Sequence, residues 1–468
     1  MKKPQTWSYA PYRPLFENVG DIYICRIVPE ADRISFDFLD IGASEYSVFY
    51  RIRGSERRFI FAGTVKSDGN RDITYTLTGL TDGTDYEFYV SSGIKKSRTR
   101  LARCGHFDCE SVINYLHPDD EAYAFSGRSL CSPSIVRHPN GNLLASMDVF
   151  AGNHPQNLTL IYRSDDNGKT WHYVCELFPC FWGKMFVHRG ELYMLGCSTE
   201  YGDMLIGKST DGGYSFSEPT VLYRGLNGKN GSPGIHRNPE PVIEYKGRLW
   251  NTVEWGSWSR GYHAVMAVSA PIDADLLDSQ SWEFTDPLKY DESWEGLPEG
   301  KSAGNIEGCP VIGPDGKLYS LMRYDMRGMR PNYGLALLYE INTDDHAAPM
   351  KFKKAVKFPA NHSKFIVVWD EASGHYYSLA TRIIDSEHQG SRNLLSLMKS
   401  PDLENWTNVS DILNYLQADP KYVGFQYVDF IIEGDNILFQ CRTSINGARN
   451  FHDANYETFH IIRNFREL

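Results

Sequence analysis

No apolar run of about eighteen residues occurs in the 468-residue chain, so no segment is expected to cross a membrane as a helix. Positive charge is scarce. The 48 Lys and Arg face 59 Asp and Glu, a net charge of −11, which argues against nucleic acid as a partner. It leaves room for a locally positive pocket and an acidic ligand. The opening Met1-Lys2-Lys3-Pro4-Gln5-Thr6-Trp7 has no apolar stretch behind its lysines, so no secretory signal is expected. Nine cysteines, an odd number, stand without CxxC or metal-ligand spacing, and a reducing, cytoplasmic setting is the simplest account. His-x-x-x-His on a helix, a GxSxG elbow and a glycine-rich phosphate loop are all missing. Neither a metal nor a cofactor is expected.

Aromatics and glycine are plentiful: 10 Trp, 29 Tyr, 24 Phe and 40 Gly, a composition suited to an all-β protein with many tight turns. Most of these rings belong in a core; some suit stacking on sugar rings.

Residues 1–105 read as a small β-sandwich. Ile22–Ile27, Arg33–Phe38 and Tyr46–Ile52 alternate apolar and polar residues with period two, the mark of half-buried strands. Tyr75–Val90 follows, with Leu80 and Tyr86 spaced as in a tyrosine corner. The module resembles fibronectin type III, which implies binding, spacing or self-association rather than catalysis.

Residues 106–468 read as a repeat array. A strand, a glycine turn and a second strand recur, with turns at Gly141, Gly190, Gly247, Gly316, Gly374 and Gly434. An apolar pair follows each turn, as in Leu143-Leu144 and Leu249-Trp250. Six units predict six blades of a β-propeller. Residues 106–130 precede the first unit and supply a strand elsewhere, or else a seventh blade.

Seven residues beyond each turn glycine (beyond Asp435 in the last) stand Asp148, Cys197, Glu254, Arg323, Thr381 and Arg442. Four of these six are charged within apolar strands, where a charge needs a partner. Two readings stay open. One is a carboxylate clamp of Arg323 and Arg442, with Arg382 one residue out of register, facing Asp148 and Glu254 as acid–base groups. The other is a ring of structural ion pairs between blades. Titratable groups also crowd the starts of the inner strands: Trp182 and Lys184, His236 and Glu240, Glu307, His362 and Lys364, and Gln426, Tyr427 and Asp429. Asp148, Glu254, Glu307, His236, Tyr427 and Asp429 are the catalytic candidates. Arg323, Arg382, Arg442, Trp182, Lys184, Glu240, His154, His362, Lys364, Gln426, His452 and Asp453 are the substrate-binding candidates, the last two from the polar loop Arg442–Asn455.

Ser164-Asp165-Asp166-Asn167-Gly168-Lys169-Thr170-Trp171 fits S-x-D-x-G-x-T-W at every fixed position. Ser209–Phe216 is a second copy, and Ser400–Trp406 a degenerate one. The motif resembles the Asp box of the sialidase superfamily, a hairpin on the outer part of propeller blades. Asp and Ser close the turn on backbone N–H groups, Gly168 and Gly213 take positive φ, and Trp171 and Phe216 are expected between blades. Phe181–His188, Gly304–Gly308, Gly424–Asp429 and His452–Tyr456 are similar to the branch that includes rhamnosyl-glucuronate lyases and α-L-rhamnosidases. The chain lacks the Phe-Arg-Ile-Pro motif of true sialidases, so their arginine triad does not carry over by motif. Some members of that branch use a histidine in place of a carboxylate pair; here Met147 stands where the resemblance implies a histidine.

The resemblance implies an all-β, sialidase-like propeller preceded by a β-sandwich, acting on glycans. The resulting expectation is an intracellular, exo-acting glycoside hydrolase for a short, uronate-bearing oligosaccharide. The alternatives are a lyase working by β-elimination at a uronate, and a glycan-binding propeller without turnover. An oligosaccharide is the expected partner, with self-association through residues 1–105.

Overall fold

The computed structural model describes residues 21–225, 233–302, 304–360, 363–384, 387 and 389–468. Among them no α-helix occurs, and no helix is long and apolar enough to cross a membrane.

The N-terminal part is a sandwich of two antiparallel sheets. One orders Ile24–Pro29, Arg33–Leu39 and Asp72–Thr78. The other orders Ile60–Lys66, Glu45–Ile52, Asp85–Ser92 and Lys95–Lys96, with Arg100–Arg103 also paired to Asp85–Ser92. Period-two alternation sends Ile34, Phe36, Tyr46, Val48, Phe88 and Val90 into the shared core. The Tyr86 hydroxyl accepts from the Thr81 N–H at 3.0 Å, closing a tyrosine corner.

Among the described residues six antiparallel sheets follow in a propeller, five of four strands and the third of five because Ile243–Tyr245 also pairs with Arg248–Ser257, beside a small two-stranded sheet of Glu299–Lys301 and Gly328–Arg330. The inner strands are Ser129–Arg137, Phe181–His188, Gly234–His236, Gly304–Ile312, Val368–Asp370 and Gly424–Glu433. Every turn glycine read from the sequence lies between a sheet's first and second strands. Burial falls outward, as in a propeller: Ser129–Arg137 is buried over its first seven residues, whereas the outer strand Lys351–Lys357 is largely exposed. The sixth sheet takes its outer strand from upstream, because Ser111–Tyr115 pairs with Tyr456–Ile462. The early strand thus ties the end of the chain to its beginning.

The glycine hairpins stitch sheets together. Asp166 accepts from the Thr170 N–H at 2.9 Å and the Thr170 hydroxyl at 2.7 Å, and Ser164 accepts from the Gly168 N–H at 2.7 Å. Asp211 and Ser209 repeat the pattern with Ser215 and Gly213. Trp171 is fully buried, lies 5.5 Å from Phe459 of the sixth sheet and donates from Nε1 to Ser111.

Candidate active site

In four of the six sheets the inner strand slips register near one mouth of the propeller. The slips fall between Cys131 and Ser134, Phe181 and Lys184, Ile306 and Gly308, and Gln426 and Asp429. One non-glycine residue in each takes left-handed φ: Ser132 at 57°, Trp182 at 53°, Glu307 at 60° and Tyr427 at 56°. A regular strand would turn alternate side chains into the wall; a bulge re-aims one of them. Left-handed backbone at such a residue costs about 1–2 kcal/mol, a strain that concentrates at functional sites. All four residues line one cleft of about 380 Å³.

The cleft has two unlike walls. On one, the buried Glu307 carboxylate accepts from the Tyr427 hydroxyl at 2.8 Å, from Asn238 Nδ2 at 2.7 Å and from Arg323 Nη1 at 2.8 Å. Arg323 Nη1 also lies 3.0 Å from the Tyr427 hydroxyl. Arg392 and Arg442 stand over the Tyr427 ring at 5.6 and 5.0 Å. Three guanidiniums therefore surround one tyrosine and one carboxylate. Burial works to raise the Glu307 pKa, but Arg323, His236 and the hydrogen bonds hold it below the ordinary glutamate value, so Glu307 is ionised at neutral pH. Burial, together with the Glu307 charge, raises the Tyr427 pKa, so its phenol keeps its proton. Burial and the neighbouring guanidiniums push Arg392 down to about 10.

The other wall is aromatic. Trp182 lies 4.5 Å from the His236 ring, and Trp258 stands on the rim. His236 is anchored through Nδ1 to Glu254 Oε2 at 2.6 Å. His452 and Phe150 complete the lining, their rings 5.4 Å apart. Burial and Arg442 hold His452 at about 4, hence neutral, despite its 2.9 Å hydrogen bond to Asp453. Burial would raise Asp453, yet its contacts with His452 and Asn450 keep it at about 2.

Of the catalytic candidates, the structure brings Glu307, His236 and Tyr427 into the cleft, with Glu254 one layer behind. Of the binding candidates, Trp182, Arg323, Arg442 and His452 line it. Gln426 lies beneath, holding Arg392 through Oε1 and the Phe451 carbonyl through Nε2.

Other candidates stand elsewhere. Asp148 is fully buried in the wall, accepting from the Trp182 N–H at 2.6 Å and from Thr159, and burial pushes it up to about 7. It aims the Trp182 bulge rather than facing the cleft. Asp429 is fully buried, pairs with Lys184 Nζ at 2.5 Å and accepts from the Ile135 N–H. Lys364 and Glu240 are buried and also lie outside the lining. Arg382 turns away to Asp411 at 2.8 Å on its own sheet. His154 bonds the Gly152 carbonyl in its own turn and lies outside the lining. His362 lies outside the described residues.

The six aligned positions split between the two readings of the sequence. Asp148, Cys197, Glu254 and Thr381 each bond the inner-strand backbone of the next sheet, at the Trp182 N–H, the Ile235 carbonyl, the Gly308 N–H and the Phe425 carbonyl. They are stitches. Arg323 and Arg442 face the cleft. Arg392 is not visible in the repeat spacing because it enters from the connection just before the third strand of the fifth sheet, Leu394–Ser400, bridging to Gly424 of the sixth sheet, and not from a second strand. The only signal for it is a charged residue just before the apolar Leu394–Met398.

No protein-family model matches the chain, and no curated protein sequence matches it. Solved structures are. An α-L-arabinofuranosidase of Fusarium graminearum, in complex with an iminosugar inhibitor, has a TM-score of 0.50 at 12% identity, over 76% of this chain and 98% of that one. A Penicillium chrysogenum α-L-arabinanase complexed with arabinobiose has a TM-score of 0.49 at 16% identity, over 76% and 98%. An ulvan lyase of polysaccharide lyase family PL25 has 0.44 at 9% identity, over 96% and 95%. At 12% identity the likeness to the arabinofuranosidase speaks to the fold alone.

Proposed function

We propose that this chain is a carbohydrate-active enzyme that cleaves the glycosidic bond of an anionic sugar, by hydrolysis, from the end of a short oligosaccharide. The observation that carries this reading is the Tyr427 hydroxyl, held between Glu307 and Arg323 beneath Arg392 and Arg442. Guanidiniums pair bidentately with a carboxylate or sulfate. Arg323, Arg392 and Arg442, with Arg327 as a fourth arginine of the lining, form a local anion site in a chain of net charge −11.

An anion at the reacting sugar would repel a carboxylate nucleophile; a neutral phenol escapes that repulsion, and tyrosine nucleophiles are known among glycosidases. Tyr427 Oη attacks the anomeric carbon while its proton passes to Glu307 Oε1, 2.8 Å away. His236, fixed through Nδ1 by Glu254, gives a proton to the departing oxygen. Water then attacks the glycosyl–tyrosine ether, His236 recovers a proton from that water, and Glu307 returns one to Tyr427. Two displacements retain the anomeric configuration. The nine cysteines are all free thiols, which supports a reducing compartment.

A second reading is β-elimination at a uronate. The same arginines would neutralise its carboxylate and His236 would remove the C5 proton. The raised pKa of Tyr427 disfavours a standing phenolate as that base. Mass spectrometry of products from uronate-bearing oligosaccharides separates the two: hydrolysis adds one water across the products, and elimination adds none and leaves an unsaturated, ultraviolet-absorbing uronate. Tyr427→Phe is expected to lose about a hundredfold or more in kcat with Tm little changed. A variant as active as the parent overturns the assignment.

A further inference from the structure

Trp258 has no role in the chemistry above, yet it is 45% exposed and stands on the rim of the cleft. A lone exposed aromatic needs no explanation. This one is mounted. Arg248–Ser257 and Tyr262–Pro271 are ten residues each and form the hairpin of the third sheet. Trp258–Arg260, a single 3-10 turn, closes it. The Ser257 hydroxyl caps that turn by accepting from the Arg260 N–H, and Gly261 ends it at φ 73°. The Trp258 N–H donates to the Tyr201 hydroxyl at 3.2 Å, and that hydroxyl lies 3.1 Å from His263 Nε2.

Beneath the indole the His263 ring sits edge-on at 4.7 Å, and His263 in turn packs on His236 at 4.9 Å. Burial keeps His263 neutral, so the ring packed against the indole carries no charge. The ring is braced from below, open to solvent, and joined by packing to the candidate acid His236.

We infer that Trp258 is the stacking platform for a second, uncharged sugar ring of the substrate, the one next to the anionic sugar held by Arg323, Arg392 and Arg442. An aromatic face takes the C–H face of a pyranose and asks for no charge. A cationic ligand would also suit an indole, but the four arginines of the same cleft outnumber its two glutamates, Glu200 and Glu307, and repel it. The two walls thus select an oligosaccharide of alternating character, an acidic residue beside a neutral one. This inference rests on the anionic-sugar reading of the cleft.

The test is a binding titration of the parent, Trp258→Ala and Trp258→Phe with two probes, a β-D-glucuronyl-rhamnose disaccharide, in which the uronate carries the glycosidic bond and rhamnose is the ring next to it, and methyl β-D-glucuronide. The platform predicts about tenfold weaker disaccharide binding in Trp258→Ala, a smaller loss in Trp258→Phe, and unchanged binding of the single sugar. If both probes bind the parent and Trp258→Ala affects neither, or weakens both equally, the platform is wrong and the anionic site stands. If neither probe binds the parent, the anionic-sugar reading fails and takes the platform with it.

Discussion

Tyr427 and Glu307 are useful only in opposite protonation states, and their surroundings enforce that split. Arg323 and Asn238 hold Glu307 as a carboxylate, and burial holds Tyr427 as a phenol. Glu307→Gln keeps the shape but cannot accept the proton, so kcat is expected to fall about a hundredfold or more. In the parent, the acid limb should lie below the ordinary glutamate range, because the Glu307 pKa is lowered; a pH–rate profile reads this directly. Glu254→Gln is predicted to act differently. It loosens His236 Nδ1, and so moves the pH profile and lowers kcat more than it raises KM. At this scale the sequence was legible where a charge interrupts an apolar strand start, as at Glu307, or ends a second strand, as at Arg323. It was illegible where a carboxylate serves backbone. Asp148 and Asp429 look in sequence like Glu307, and only the partner, a main-chain N–H rather than the cleft, separates them.

The bulge is the element that turns a propeller into a site. One-residue slips at Ser132, Trp182, Glu307 and Tyr427 aim four side chains at one volume. Asp148 and Glu254 hold the backbone N–H groups at two of these slips. Asp148→Ala leaves the Trp182 N–H buried without its acceptor, a cost of about 1–3 kcal/mol; lowered Tm and weakened substrate binding should appear together. Gly168→Ala tests the hairpins instead. A Cβ there would meet Phe459 at 2.0 Å, on a backbone at φ 85°. Thermal denaturation should show a large loss of stability. Turns and strands were legible because glycine and period-two alternation are local signals; a bulge shifts register without changing composition, so periodicity cannot see it.

Across the whole molecule, two kinds of closure hold the ends. Ser111–Tyr115 completes the sixth sheet, and the sandwich docks beside it. Arg26 donates to the Val112 and Ile113 carbonyls, Tyr162 donates to the Cys25 carbonyl, and buried Arg100 pairs with Asp120 at 2.7 Å. Removing residues 1–105 therefore bares apolar surface, and the remainder is expected to melt lower than the full chain. That the early strand serves elsewhere was one of two outcomes open in the sequence; which one holds depends on a pairing more than 300 residues long-range.

Buried titratable groups shape stability against pH. Burial keeps His263, His452 and His460 below their ordinary 6.5, so the unfolded chain binds protons that the folded chain refuses, and stability falls as pH drops through about 6.5. Burial raises Asp148 to about 7 and Glu457 to about 8, so their contribution is present at lower pH and lost as pH rises through those values. Between about pH 5 and 7 the two sets pull in opposite directions, and above neutrality only the carboxylates still act, so urea unfolding is predicted to show a lower midpoint at about pH 9 than at about pH 7.

The central claim is that the arginine-lined cleft breaks a bond at an anionic sugar by way of Tyr427. The most direct test is a mass-spectrometric product screen of the parent and Tyr427→Phe on a panel of uronate-bearing and neutral oligosaccharides. The account predicts cleavage of acidic members only, with one water added across the products, and little or none by Tyr427→Phe. No product from any acidic oligosaccharide, or equal turnover by both proteins, would contradict it.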